Sequence, residues 1–213
     1  MQGMMMNFNL GISAIMRHAL QVAANTEIVS LVADGRIHRY TYAEAFARVG
    51  RLANALDALD CPPHARIGTL AWNDHRHFEL HYAAPCSGRV CHTINPKLFP
   101  EQIGYIIDHA QDDVLFIDPQ FIPLVESLHS QLGSVRHFIA LCDASELPVS
   151  SLPNLLSYEA LLAAAAEDHV WPEIDERQAC GLCYTSGTTG NPKGVLTRHR
   201  STCLLYTYDA AAE

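Results

Sequence analysis

Arg66-Ile67-Gly68-Thr69-Leu70-Ala71, Val90-Cys91-His92-Thr93-Ile94 and Val114-Leu115-Phe116-Ile117 are three short runs that are largely apolar on both alternating faces. Between them the sequence reads as helix, first from about Asp74 and then from Pro100 to Ala110. Strands buried on both sides and separated by helices predict a parallel sheet covered by helices, because each crossover lays a helix over a sheet face. The fold class expected is therefore α/β, a mainly parallel sheet flanked by helices.

The same alternation extends outward. Downstream, a helix is expected over Pro119 to Leu132, a strand over Val135 to Leu141, a loop over Asp143 to Pro153 and a short helix over Tyr158 to Ala166. Upstream, Thr41 and Glu44 have capping-box spacing and open a helix whose apolar stripe is Ala45, Phe46, Val49, Leu52, Ala53, Leu56 and Leu59. Before it, Ile28 to Val32 and Arg36 to Tyr40 flank Asp34-Gly35, which predicts a hairpin with a two-residue turn. Ile12, Ile15, Met16, Ala19, Leu20 and Ala23 recur at helical spacing and predict a first amphipathic helix. Pro85 should kink or shorten the helix that begins near Asp74, since its ring removes a backbone donor.

Of 213 residues, 49% are hydrophobic, enough for a substantial core, and the formal charge is −9. An acidic chain is a poor partner for nucleic acid, whose binding rests on clustered cations. Seven scattered cysteines, an odd number in mostly apolar surroundings, read as reduced thiols of a cytoplasmic protein rather than a disulfide framework. No run of 18 apolar residues predicts a transmembrane segment, and Met1 to Leu20 lacks the charged start of a signal peptide.

Against that acidity, Arg177 to Thr202 holds no Asp or Glu but four cations, Arg177, Lys193, Arg198 and Arg200. Within it, an apolar strand runs into Thr185-Ser186-Gly187-Thr188-Thr189-Gly190-Asn191-Pro192-Lys193-Gly194 and out into a second apolar strand. The glycines let amides approach a ligand closely, the hydroxyls donate, and Lys193 adds a mobile point charge. The pattern predicts a polyphosphate cradle with Thr185, Ser186, Gly187, Thr188, Thr189, Gly190 and Lys193 as nucleotide-binding residues. It is no Walker A loop, because Lys193 follows proline and precedes Gly194 where that motif needs Gly-Lys-Ser/Thr.

The string Tyr184 to Val195 resembles the phosphate-loop signature of the adenylate-forming, AMP-binding superfamily. Ala71-Trp72-Asn73-Asp74-His75-Arg76-His77-Phe78-Glu79 and Cys91 to Ile103 are similar to its medium-chain and long-chain fatty acyl-CoA synthetase branch. The likeness covers about residues 10–202. It implies a two-step ligase using ATP, Mg²⁺ and CoA: a carboxylate, here a fatty acid, attacks the α-phosphate to give acyl-AMP and pyrophosphate, and the CoA thiol then displaces AMP. It also implies the first part of the large amino-terminal domain over 1–202, with a homodimer allowed for. The family's later adenine and ribose segments and its catalytic lysine do not occur in this sequence, so the isolated chain is expected to turn over weakly or not at all. Residues 203–213 leave the family pattern and resemble the translation of a sequencing-library adapter, so they are expected to be non-native. Two rival functions stand beside this one: activation of another carboxylate, aryl or amino acid, and a non-catalytic nucleotide-binding fragment.

Smaller signals carry less. Cys180 and Cys183 should point to opposite faces of a strand, which favours packing over zinc. His77 and His81, four apart on a helix, lack a third ligand and read as ordinary histidines. His199 and Arg200 either orient phosphate near the reacting centre or end a solvated strand. His92 to Pro96 lies where a parallel strand ends, the usual border of a ligand crevice in an open α/β sheet.

Overall fold

The computed structural model describes residues 8–185 and 191–209, with side chains to residue 204. Helix α1 (Ile12–Ala23) leads into a two-stranded antiparallel sheet, β1 (Glu27–Leu31) and β2 (Ile37–Thr41), and then α2 (Tyr42–Ala58). The alternation follows: β3 (Arg66–Leu70), α3 (His75–Cys86), β4 (Val90–Thr93), α4 (Pro100–Ala110), β5 (Asp112–Ile117), α5 (Ile122–Leu128), β6 (His137–Ala140), β7 (Leu156–Ser157) and α6 (Tyr158–Ala164). β8 (Ala179–Thr185), β9 (Lys193–Arg198) and α7 (His199–Asp209) complete the order.

Seven strands form one sheet in the order β7-β6-β5-β3-β4-β8-β9, parallel throughout except at the antiparallel β8–β9 pair. This is the expected α/β class. The two-sided apolar pattern has the predicted consequence. On one face Ile67, Cys91, Val114 and Phe116 meet Phe46, Leu52, Leu56 and Leu80 of α2 and α3. On the other, Leu70, Leu115 and Ile117 meet Ile103, Ile107, Val125 and Leu128 of α4 and α5. At roughly 25 cal/mol per Å² of apolar surface, two such layers supply most of the driving force.

The capping box forms as its spacing predicts: Glu44 N donates to Thr41 Oγ1 at 3.3 Å and Thr41 N to Glu44 Oε2 at 2.7 Å. Two expectations need correction. The hairpin turn is longer than two residues, since Leu31 pairs with Ile37, Val32 N donates to Arg36 O, and only Gly35 has positive φ (88°). The helix expected over Pro119 to Leu132 is a 3₁₀ turn (Pro119–Phe121), α5 and a second 3₁₀ turn (His129–Gln131); Pro123 withholds the backbone donor that would continue a helix from Pro119. Pro85 does shorten α3, which ends one residue later at Cys86. β7, two residues at the sheet edge, was not expected.

Candidate functional site

β3 is followed by β4 on one side and, two crossovers later, β5 on the other, so the strand order reverses at β3. In an open α/β sheet the helices on opposite faces part at such a point and leave a crevice at the carboxyl ends of the strands. A hollow of about 310 Å³ lies there, lined by Ala71, Trp72 and Asn73 after β3, Thr93 to Pro96 at the end of β4, His77 of α3, and Cys183 and Tyr184 of β8.

Its floor is held by hydrogen bonds that the sequence could not reveal. Asp118 Oδ2 accepts from Trp72 N at 2.7 Å, fixing the turn after β3, and burial raises the Asp118 carboxyl to about 6. Asp74 caps α3 by accepting from Arg76 N and His77 N at 2.9 and 3.1 Å. His77 spans the corner with Nε2 3.1 Å from Thr69 Oγ1 and Nδ1 3.0 Å from Asn73 Oδ1. Desolvation first, and the neighbouring His81 second, depress its pKa to about 4, so the ring is neutral and both nitrogens are engaged.

The predicted phosphate loop leaves this rim. Thr185 ends β8 and pairs with Lys193, which begins β9; both side chains are exposed. The two ends of the turn are therefore clamped side by side, as a cradle entered and left by strands requires. Ser186, Gly187, Thr188, Thr189 and Gly190 lie outside the described residues. The Lys193 ammonium makes no ion pair with any described residue. The positive island is smaller than its composition suggests. Arg177 is paired with Asp175 at 2.7 Å and Arg200 with Glu176 at 2.8 Å, both acids lying just outside the acid-free window. Arg198 closes β9, about 17 Å from Lys193 along an extended strand. Lys193 alone of the four stands at the loop.

The lesser candidates divide. Thr93 to Pro96 line the crevice, but His92 points to the opposite face and is fully buried against Asp112. His199 is neither a solvated strand end nor a rim residue: it starts α7, is 1% exposed, and accepts a 3.3 Å hydrogen bond from Ile12 N. Cys180 is buried and Cys183 exposed, as opposite strand faces demand. No group of three or more His, Cys, Asp or Glu side chains that could hold a metal ion exists among the described residues. Trp72, Asn73 and Tyr184 were missed as site residues. Their signal was position alone, just beyond β3 and just before the loop.

The family profile described as AMP-binding enzyme matches residues 17–212. The chain belongs to the AMP-binding enzyme family. It is 50% identical over 204 residues to a 3-methylmercaptopropionyl-CoA ligase of Ruegeria lacuscaerulensis, covering 96% of this chain and 38% of that protein. It is 42% identical to a medium-chain fatty-acid CoA ligase of Ectopseudomonas oleovorans, covering 96% and 37%. Among solved structures, an anthranilate CoA ligase in complex with anthranoyl-AMP superposes with a TM-score of 0.79 at 23% identity, over 92% of this chain and 36% of that one, which is a likeness of fold. The chain thus spans about 38% of the length of the relatives it matches. No helix among the described residues is long and apolar enough to cross a membrane.

Proposed function

We propose that the chain is the phosphate-gripping part of an ATP-dependent acyl-CoA ligase that activates a fatty acid by way of acyl-AMP. The observation that carries this reading is the Thr185–Lys193 pairing at the rim of the crevice where the strand order reverses. Ser186 to Gly190 would span the pyrophosphate-forming end of ATP, with Thr185 and Lys193 at the two roots. A carboxylate is a poor electrophile until its oxygen becomes part of an anhydride, and departure of pyrophosphate places charge where amides, hydroxyls and Lys193 can hold it. Mg²⁺ enters as part of the Mg·ATP substrate. CoA is the second acceptor, and the thioester step draws on residues outside those described.

A hydrocarbon substrate is supported by a second hollow of about 560 Å³ that shares Thr93 and Cys183 with the crevice and is walled by Ile12, Ile15, Tyr82, Pro85 and Leu182. The identities to 3-methylmercaptopropionyl-CoA and medium-chain fatty-acid CoA ligases support a short to medium aliphatic acid over an aryl one. A cytoplasmic setting agrees with thiols that are all free among the described residues. The division at residue 202 rests on sequence, and re-sequencing the locus tests it.

The test is CoA thioester formation by the full-length gene product over a panel of carboxylates. Saturated fatty acids and 3-methylmercaptopropionate should be consumed with release of AMP and pyrophosphate. Preference for benzoate or an amino acid would contradict the aliphatic reading, and ATP hydrolysis to ADP would contradict adenylation.

A further inference from the structure

Tyr184 precedes the phosphate loop by one residue and makes three contacts that no motif discloses. Across the ladder it faces Gly194, where a Cβ would come 3.1 Å from the Tyr184 Cζ and 3.4 Å from Cε2. The phenol ring therefore lies over the bare Cα of the residue that follows Lys193, a packing open only to glycine. Its hydroxyl shares a 2.7 Å hydrogen bond with His109 Nδ1 in the last turn of α4, with the two rings edge to face at 5.9 Å. Burial raises the phenol pKa, which keeps the hydroxyl protonated. Beneath it lies the His92 ring at 5.4 Å, itself fixed by Asp112.

One side chain of the strand entering the loop thus touches the strand leaving it and a helix packed on the sheet. Thr185 and Lys193 are the chain neighbours of Tyr184 and Gly194, so the Tyr184 ring packs directly beside both roots of the cradle. We infer that Tyr184, held by His109, is a positioning residue that fixes the relative placement of Thr185 and Lys193 for acyl-adenylate formation. This rests on the function proposed above. The role of Tyr184 is to hold Thr185 and Lys193 at a set spacing, because preorganised donors lose much of their effect when displaced by fractions of an ångström.

The experiment is steady-state acyl-adenylate formation by the full-length gene product, read as pyrophosphate release at varied ATP. Tyr184→Phe keeps the ring over Gly194 but loses the hydroxyl, and His109→Leu removes its hydrogen-bond partner. Each should lower kcat/KM for ATP about fivefold, the worth of one hydrogen bond of ordinary strength, while KM for the fatty acid stays within twofold. The double variant should be no worse than either single one. His109→Asn, whose side-chain oxygen falls near the Nδ1 position, should recover most of the loss. A purely structural role would lower thermal stability and yield but leave kcat/KM per folded molecule unchanged, and that outcome would overturn the inference. So would additive losses in the double variant. Lys193→Ala separates the two levels: if it abolishes pyrophosphate release while Tyr184→Phe is silent, the positioning role falls and the function stands, and if both are silent the function falls as well.

Discussion

His92 Nδ1 lies 2.8 Å from both carboxylate oxygens of Asp112, and neither residue exposes any surface. The two belong to β4 and β5, which are not neighbours: β3 runs between them, and its Gly68 stands in register with His92. A Cβ on Gly68 would sit 2.7 Å from Asp112 Oδ2 and 2.9 Å from Leu115 Cδ1. The pair meets over the middle strand because that strand offers no side chain there, and the junction lies under the Tyr184 ring.

Gly68→Ala should therefore lower stability by about 2 kcal/mol, the usual cost of overpacking a filled core. Thermal melting checks this, and a variant that melts with the parent protein would show that the carboxylate can move aside freely.

Stability should fall with acidification from near neutrality. Desolvation, with His38, Arg76 and Arg48 adding to it, depresses His75 to about 3, and His77 lies near 4. Both are neutral in the folded chain, whereas the unfolded chain takes up protons below its ordinary value of about 6.5. The penalty is absent above that value, and grows as pH falls through it until the folded pKa values are reached, costing each residue about 1 kcal/mol near roughly pH 5.5. Urea midpoints measured from neutral to acid pH should show this slope, and His75→Phe should flatten it; an unchanged slope would refute the assignment.

Arg48 carries a buried ion network. Glu79, wholly unexposed, accepts from Arg48 Nε at 2.8 Å and from Tyr158 Oη at 2.6 Å, while Arg48 grips Glu159 at 2.9 and 3.0 Å. Arg48→Met should cost about 3 kcal/mol by stranding the Glu79 charge, and adding Glu79→Gln should return part of it. A double-mutant cycle in urea reads the coupling; strict additivity would contradict it.

Thr41→Ala should cost about 1 kcal/mol, since it opens the capping box of α2. A loss within error of zero in the same denaturation assay would mean that water replaces the cap.

Much of this fold was legible because local chemistry and tertiary need agree. Thr41 and Glu44 mark the start of α2, Pro100 and Ala110 bound α4, and apolar runs such as Val114 to Ile117 announce a strand covered on both faces. The misses have common causes. Leu156–Ser157 is too short to show a period and is a strand only because β6 stands beside it. His199 reads as a polar strand end until α1 closes over it, and Arg177 and Arg200 look free until Asp175 and Glu176 are seen to face them. Of the site, the loop and its lysine could be read from residue types, whereas the crevice required the strand order. Trp72, Asn73 and Tyr184 become neighbours only through that order.

The central claim is that the turn between Thr185 and Lys193 grips the polyphosphate of ATP during acid activation. Exchange of labelled pyrophosphate into ATP, dependent on a fatty acid and measured with the full-length gene product and its Lys193→Ala variant, tests it most directly. Loss of one charge-assisted phosphate contact predicts exchange reduced at least about tenfold, with the variant still folded by circular dichroism. Exchange at the parent rate in Lys193→Ala would contradict the claim.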